Sequence, residues 1–220
     1  MGGPIVVTGA AGALGRAVAA LLQERGLGVA VLDLVEEQAL PAGAAVALGG
    51  VDLTDEASAE RAFAAIGPIA GLVNVAGGFA WETIGEGSVA TWDRLYALNL
   101  RTALNASMAA LPRLSAGGAI VNVGAAAAGR AELGMAAYAA SKAGVARLTE
   151  GLAAELKPRG IRVNAVLPSI IDTPANRADM PDADFGAWVT PVELARVIAF
   201  LLSGEASGMT GAAIPVTGRV

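Results

Sequence analysis

The chain has 220 residues, 55% of them hydrophobic and only 16% charged, with a net charge of −5. That composition excludes a disordered chain and suits one substantial core, while the acidic balance argues against nucleic acid or an anionic membrane surface as a partner. There is no cysteine and no histidine, which excludes disulfides, thiolate chemistry, Ser-His-Asp triads and the commonest zinc and iron ligand sets.

Any general acid or base must therefore be Tyr, Lys, Asp or Glu, or come from a cofactor. The first predicted strand, Pro4–Thr8, runs into a glycine-rich turn and a helix over 13–25. Gly9, Gly12 and Gly15 would let the backbone approach a pyrophosphate, whose charge the helix N-terminus would hold. Their spacing is not the GxGxxG fingerprint, so a turn shaped only for packing is the alternative. The second strand, Gly28–Asp33, ends in a carboxylate about 20 residues past the turn, placed to bind ribose hydroxyls and repel a 2′-phosphate. Leu34 follows it rather than Arg or Lys, so NAD(H) is expected over NADP(H).

A strand over Ala44–Gly49, a helix over 55–66 and a strand over Gly71–Val75 come next. The uncharged run 62–81 is long enough to raise a membrane span. Gly67-Pro68 breaks it and Asn74 interrupts it, so it reads as a helix end, a turn and a buried strand. A single long helix is predicted over 89–114, then a strand over Ala119–Gly124 and a helix over 135–157 that carries Tyr138 and Lys142. A strand over Arg162–Leu167, a helix over 191–203 and a strand over Ala212–Val216 complete the chain. The strands are continuous apolar runs, as in a parallel sheet covered on both faces. The expected fold is α/β, a single-domain doubly wound Rossmann arrangement with seven parallel strands. Segment 172–188 is polar and proline-broken; at the carboxyl edge of such a sheet it would be a substrate lid, with an ordinary surface loop as the alternative. No basic region precedes an apolar stretch, so no secretory signal and a cytoplasmic location are expected. Val6 spoils a myristoylation motif, and the Asn105-Ala106-Ser107 sequon is read as incidental.

Several of these stretches together resemble the short-chain dehydrogenase/reductase family along nearly the whole chain. Thr8-Gly9 through Gly15 is similar to its TGxxx(A/G)xG loop, with Ala13 at the middle small position and Leu14 beside it. Val51-Asp52-Leu53 resembles the segment that contacts adenine, and Asn74-Val75-Ala76-Gly77 the NNAG motif beside the cofactor. Asn99 falls where the family has an active-site Asn, and Tyr138 and Lys142 match YxxxK. Pro168, Ile171 and Thr173 resemble the nicotinamide-side PGxxxT segment, with Ser169 replacing its glycine. The resemblance implies an NAD(H)-dependent oxidoreductase, a small-molecule substrate, no nucleic-acid or membrane partner, and a homodimer or homotetramer built on the helices at 89–114 and 135–157.

The residues support the carry-over. Positions four apart on a helix share a face, so Lys142 can stand near the Tyr138 phenol. A Tyr pKa of about 10 is too high for proton exchange near neutrality, and a neighbouring ammonium is expected to lower it. The resemblance implies that Lys142 also holds the nicotinamide ribose and that Asn99 holds a relay water. One feature departs: the family's catalytic Ser commonly lies thirteen residues before the Tyr, and that position is Ala125, preceded by Gly124. The loop GAAGALG, the segment VAGGFAW and the stretch 167–191 are similar to the dihydropteridine-reductase branch, which also lacks the Ser. Asn99 and the fuller NVAG motif are more like ordinary members. The leading expectation is therefore hydride transfer to a conjugated C=N, a quinonoid compound or an activated carbonyl, with Tyr138 as proton donor. Phe79, Trp81, Phe185 and Trp188 would wall a flat apolar pocket around Ala125. Two alternatives remain: an alcohol dehydrogenase in which another hydroxyl, such as Ser169, replaces the Ser, and a non-catalytic nucleotide-binding or scaffold protein.

Overall fold

A computed structural model describes residues 2–220. Seven strands form one sheet: β1 (Ile5–Thr8), β2 (Val29–Leu32), β3 (Val46–Leu48), β4 (Ile69–Asn74), β5 (Leu114–Val123), β6 (Arg162–Pro168) and β7 (Ala213–Val216). Their order is β3-β2-β1-β4-β5-β6-β7 and every pairing is parallel. Among the described residues seven α-helices accompany them: α1 (Ala13–Glu24), α2 (Glu56–Ile66), α3 (Val89–Leu95), α4 (Thr102–Ala110), α5 (Ala136–Leu156), α6 (Pro174–Asp179) and α7 (Pro191–Leu202).

The continuous apolar strands are explained by what lies on each face. Successive side chains of a strand point to opposite faces. Ile5, Val7, Val29, Val31, Val73 and Val121 pack under α1 and α7, against Val18, Leu22, Leu194 and Ile198. Val6, Ala30, Leu32, Leu72 and Ile120 pack on the other side under α2, α4 and α5, against Phe63, Ala106, Leu152 and Leu156. Strand order reverses between β1 and β4, which opens a crevice at their carboxyl ends between the glycine turn after Thr8 and the backbone after Asn74.

Three predicted elements differ. The helix over 89–114 is divided, because a π-turn at Tyr96–Arg101 separates α3 from α4 and the chain leaves the helix before Pro112. β5 begins at Leu114 rather than Ala119, since Leu114 is buried and pairs with Ile69 across a register shift. Segment 172–188 is not irregular throughout: α6 starts from Thr173, whose hydroxyl accepts the Asn176 N–H. Its ends are joined by a parallel bridge between Ile171 and Val189. Among the described residues no helix is long and apolar enough to cross a membrane.

Candidate active site

The phosphate loop is shaped by the chain's own close approaches. Gly9 has φ +62°, and a Cβ there would stand 2.7 Å from the Ala76 nitrogen; a Cβ at Gly15 would stand 2.2 Å from the Gly9 carbonyl oxygen. Packing alone therefore demands two of the three glycines. Gly12 is different, since a Cβ there would meet only the Gly9 oxygen at 3.4 Å. It is the N-cap of α1 and supplies no side-chain cap, which leaves first-turn N–H groups free for an anion. Ala13 is exposed beside it, whereas Leu14 is buried in the core, so Leu14 can offer only its backbone. The Thr8 hydroxyl accepts the Val75 and Ala76 N–H groups at 3.1 and 3.2 Å, lashing the end of β1 to the start of the NVAG turn.

Asp33 sits at the end of β2 with Oδ2 accepting the Ala11 N–H at 2.9 Å and Oδ1 accepting the Leu34 N–H at 2.7 Å. A carboxylate has about four acceptor sites, so capacity remains for ribose hydroxyls. Asp52 turns inward on its own loop, accepting the Thr54 N–H and hydroxyl. Buried Leu53 is held through its carbonyl by Asn105 Nδ2 at 2.9 Å. Asn105 was not anticipated: a polar residue on a helix reads as solvated until tertiary structure places it against another loop.

Deeper in the crevice the Asn99 side chain projects from the π-turn. Its Nδ2 donates to the Gly78 carbonyl and the Ser141 hydroxyl, both at 3.0 Å, while Oδ1 accepts the Gly78 N–H at 2.9 Å. The amide thus holds the Gly77-Gly78 turn against α5 and keeps one Oδ1 lone pair unused. The π-turn shifts the backbone hydrogen-bond ladder at this point. Ser141, also unanticipated, accepts from Asn99 and donates to the Tyr138 carbonyl at 2.7 Å. Its position three residues after Tyr138, on the buried face of an alanine-rich helix, was the available signal.

Lys142 is only 5% exposed, yet its ammonium makes one bond to protein, donating to the Val123 carbonyl at 2.9 Å. A Cβ on Gly77 would lie 3.4 Å from Nζ and 2.6 Å from Asn99 Oδ1, so only glycine leaves room for both. Burial pushes the ammonium down to about 8 and the Tyr138 phenol up to about 12. In the protein alone, desolvation raises the phenol, opposite in direction to the lowering expected from Lys142. Phe79 meets its ring edge-on at 5.0 Å, and both Phe79 and Trp81 are more than half exposed. A Cβ on Gly134 would fall 2.2 Å from the Trp81 indole, so Trp81 covers the loop that leads into α5. Ala125 lies directly past β5, buried, two residues beyond the carbonyl that Lys142 holds.

The other predicted wall residues lie on the segment that follows β6. Phe185 pairs with Trp188 at 4.9 Å and carries the Arg177 guanidinium 4.8 Å from its ring centre; Arg177 in turn forms a bidentate pair with Asp172. Trp188 is 5% exposed, packed against Phe185. Ser169 donates its hydroxyl proton to the Thr217 carbonyl at 2.8 Å, a bond it would have to exchange to serve in place of the missing Ser. Pro168 ends β6 in a buried position, and Ile171 and Thr173 follow half-buried, at the bridge to Val189 and the cap of α6.

A family model described as enoyl-(acyl carrier protein) reductase matches residues 9–218. The chain is 34% identical to 2-(S)-hydroxypropyl-CoM dehydrogenase 3 of Xanthobacter autotrophicus and 38% identical to cis-4-hydroxycyclohexanecarboxylate dehydrogenase of Sinomonas cyclohexanicum, covering 97% of this chain and 94% of each relative. Among solved structures, a 3-oxoacyl-[acyl-carrier protein] reductase of Brucella melitensis with bound NAD aligns with TM-score 0.85 and 28% identity over 99% of this chain and 90% of that one. A blue fluorescent protein from a metagenomic library, in complex with NADPH, aligns with TM-score 0.89 and 29% identity over 99% and 97%.

Proposed function

Since the chain belongs to the short-chain dehydrogenase/reductase family, and is an oxidoreductase of that family, we propose that it is an NAD(H)-dependent reductase in which Tyr138 is the proton donor and no serine assists. The observation that carries this reading is the buried Lys142 ammonium with a single protein acceptor. A charge removed from water needs compensation, and the spare N–H groups beside Gly77 fit the ribose hydroxyls of a nicotinamide nucleotide. The uncapped start of α1 fits its pyrophosphate. When bound, the reduced nicotinamide supplies hydride. The phenol of Tyr138 keeps its proton near neutrality and would give it to the atom beside the one that receives hydride; burial raises the phenol to about 12, so the Lys142 ammonium must favour the phenolate as the proton leaves. Lys142, at about 8, is mainly an ammonium at pH 7. It anchors the ribose side, while Asn99 and Ser141 fix the helix turn that presents Tyr138.

The substrate class follows from what surrounds that phenol. Ala125 has no hydroxyl, and those of Ser141 and Ser169 donate to backbone carbonyls, so Tyr138 alone must polarise the acceptor. Loss of one such donor costs ~10²–10³-fold in comparable acyl chemistry. Acceptors that are electrophilic by themselves suit the site best: a conjugated C=N such as a quinonoid dihydropterin or cyclic imine, a quinone, or an activated carbonyl. The names of the relatives favour a second reading, oxidation of a secondary alcohol and reduction of its ketone. NADH is the expected cofactor because Asp33, at the end of β2, would accept adenosine ribose hydroxyls and repel a 2′-phosphate, for which Leu34 supplies no cation.

A panel of NADH-oxidation assays with quinonoid dihydropterin, imines, quinones and simple ketones, and NAD+ reduction with secondary alcohols, separates these readings. Turnover of the conjugated acceptors supports the first. Activity confined to simple ketones and alcohols sinks it in favour of the second, and NADH binding without turnover of anything leaves a non-catalytic nucleotide-binding protein.

A further inference from the structure

We propose that Arg16 and Asp33 together clamp Ala11 of the phosphate loop, which makes Arg16 a positioning residue for the cofactor. The inference rests on the NAD(H) reading and deepens it. The Ala11 N–H donates to Asp33 Oδ2 at 2.9 Å, and the Ala11 carbonyl accepts from Arg16 Nε at 2.8 Å. These two groups belong to successive peptide planes, one shared with Ala10 and one with Gly12. Holding both planes fixes the torsions at Ala11 between them, and with them the direction in which Gly12 and the first turn of α1 point. Arg16 also donates through Nη2 to the Ala39 carbonyl, so one guanidinium ties the phosphate loop to the turn that follows β2.

The start of α1 needs such a device. A helix is ordinarily fixed at its N-terminus by a Ser, Thr, Asp or Asn whose side chain accepts first-turn N–H groups. Gly12 provides none, and a capping side chain would compete for the donors a pyrophosphate must take. The clamp orders the loop from outside and leaves those donors open. Helix stability does not explain Arg16, because a cation near a helix N-terminus opposes the helix dipole. Nor does ion pairing, since it forms no salt bridge among the described residues. Its geometry calls for a planar fork that serves two carbonyls, which an ammonium cannot reproduce.

The test is fluorescence titration of NADH, and competition by ADP-ribose, against wild type, Arg16→Met and Arg16→Lys. Thermal unfolding of the ligand-free proteins and amide exchange at Ala11 and Gly12 accompany it. Arg16→Met is expected to weaken both ligands by about tenfold, the scale of a lost charge-assisted bond. Its ligand-free unfolding temperature should be nearly unchanged, since the side chain is exposed. kcat at saturating NADH should stay within about twofold, because only cofactor binding is affected. Amide exchange at Ala11 should quicken, and Lys should restore less than half of the lost affinity. Wild-type affinity in Arg16→Met overturns the proposal. So does full rescue by Lys, which would reduce Arg16 to a point charge, or a loss of affinity that merely follows a fall in ligand-free stability. Wild type that binds no nicotinamide nucleotide overturns the cofactor reading and this inference with it, whereas wild-type binding unchanged by Arg16→Met overturns the clamp alone.

Discussion

Tyr138 and Lys142 are displaced in opposite directions by one cause: burial favours the neutral form of each, moving the phenol to about 12 and the ammonium to about 8. The lysine value lies below its ordinary 10.5, so between those limits the unfolded chain binds more protons than the folded one. Stability contributed by this group therefore rises as pH climbs from about 8 toward 10.5. The phenol lies above its ordinary 10.0, so the folded chain keeps the extra proton and stability falls again from there toward 12. Lys142→Met is accordingly expected to be more resistant to urea than wild type at pH 7, with reductase activity lost. Its advantage should shrink as pH rises through 8; an advantage that is constant with pH, or absent, would contradict a desolvated ammonium. Ala125→Ser tests the other side of the site. A hydroxyl restored past the end of β5 should raise turnover of simple ketones by roughly 10- to 100-fold, short of a full oxyanion-hole donor. No gain in ketone turnover would mean that the residue does not face the acceptor.

Thr8 and the π-turn show how elements bring these residues together. The Thr8 hydroxyl serves two N–H groups of the NVAG turn, so Thr8→Val keeps the shape and leaves both donors without a partner. A cost of ~1–3 kcal/mol in unfolding free energy is expected, as for a buried donor left unmade. NADH binding should weaken in the same variant, because the floor of the crevice loosens; an unchanged unfolding midpoint would contradict the role. Much of this level was legible in the sequence. The glycine turn, the acidic end of β2 and the four-residue spacing of Tyr138 and Lys142 depend on local geometry, which residue types reveal directly. The division of 89–114 was not legible: no Gly or Pro interrupts that run before Pro112. The extra residue of the π-turn is stabilised from outside, by Asn99 reaching the Gly78 backbone. Arg16, Asn105 and Ser141 were missed for a related reason, since each is a polar helix residue whose partner belongs to another loop or turn.

At the scale of the molecule, the two-sided core explains why the fold could be read from the alternation of apolar strands and helices and the substrate could not. Strand residues alternate between two apolar faces, which makes each buried strand a continuous apolar run visible in the sequence. The pocket depends on how the loops after β4, β5 and β6 lie, and the four expected wall aromatics divide into Phe79 on Tyr138, Trp81 on Gly134, and Phe185 with Trp188. Trp92, Tyr96 and Met108, on or between α3 and α4, are each at least 40% exposed. We propose that they cover one another in a homodimer or homotetramer, and sedimentation equilibrium should show a mass that Trp92→Glu reduces to one chain. A wild-type chain that sediments as a monomer would contradict this. The central claim, that Tyr138 alone supplies the proton for hydride transfer from NADH, is tested most directly by single-turnover oxidation of bound NADH with quinonoid dihydropterin in wild type and Tyr138→Phe. Rapid oxidation in wild type and a loss of ~10²–10⁴-fold in the variant, with NADH affinity unchanged, is the predicted result. Equal rates in the two proteins, or no oxidation by wild type, would contradict it.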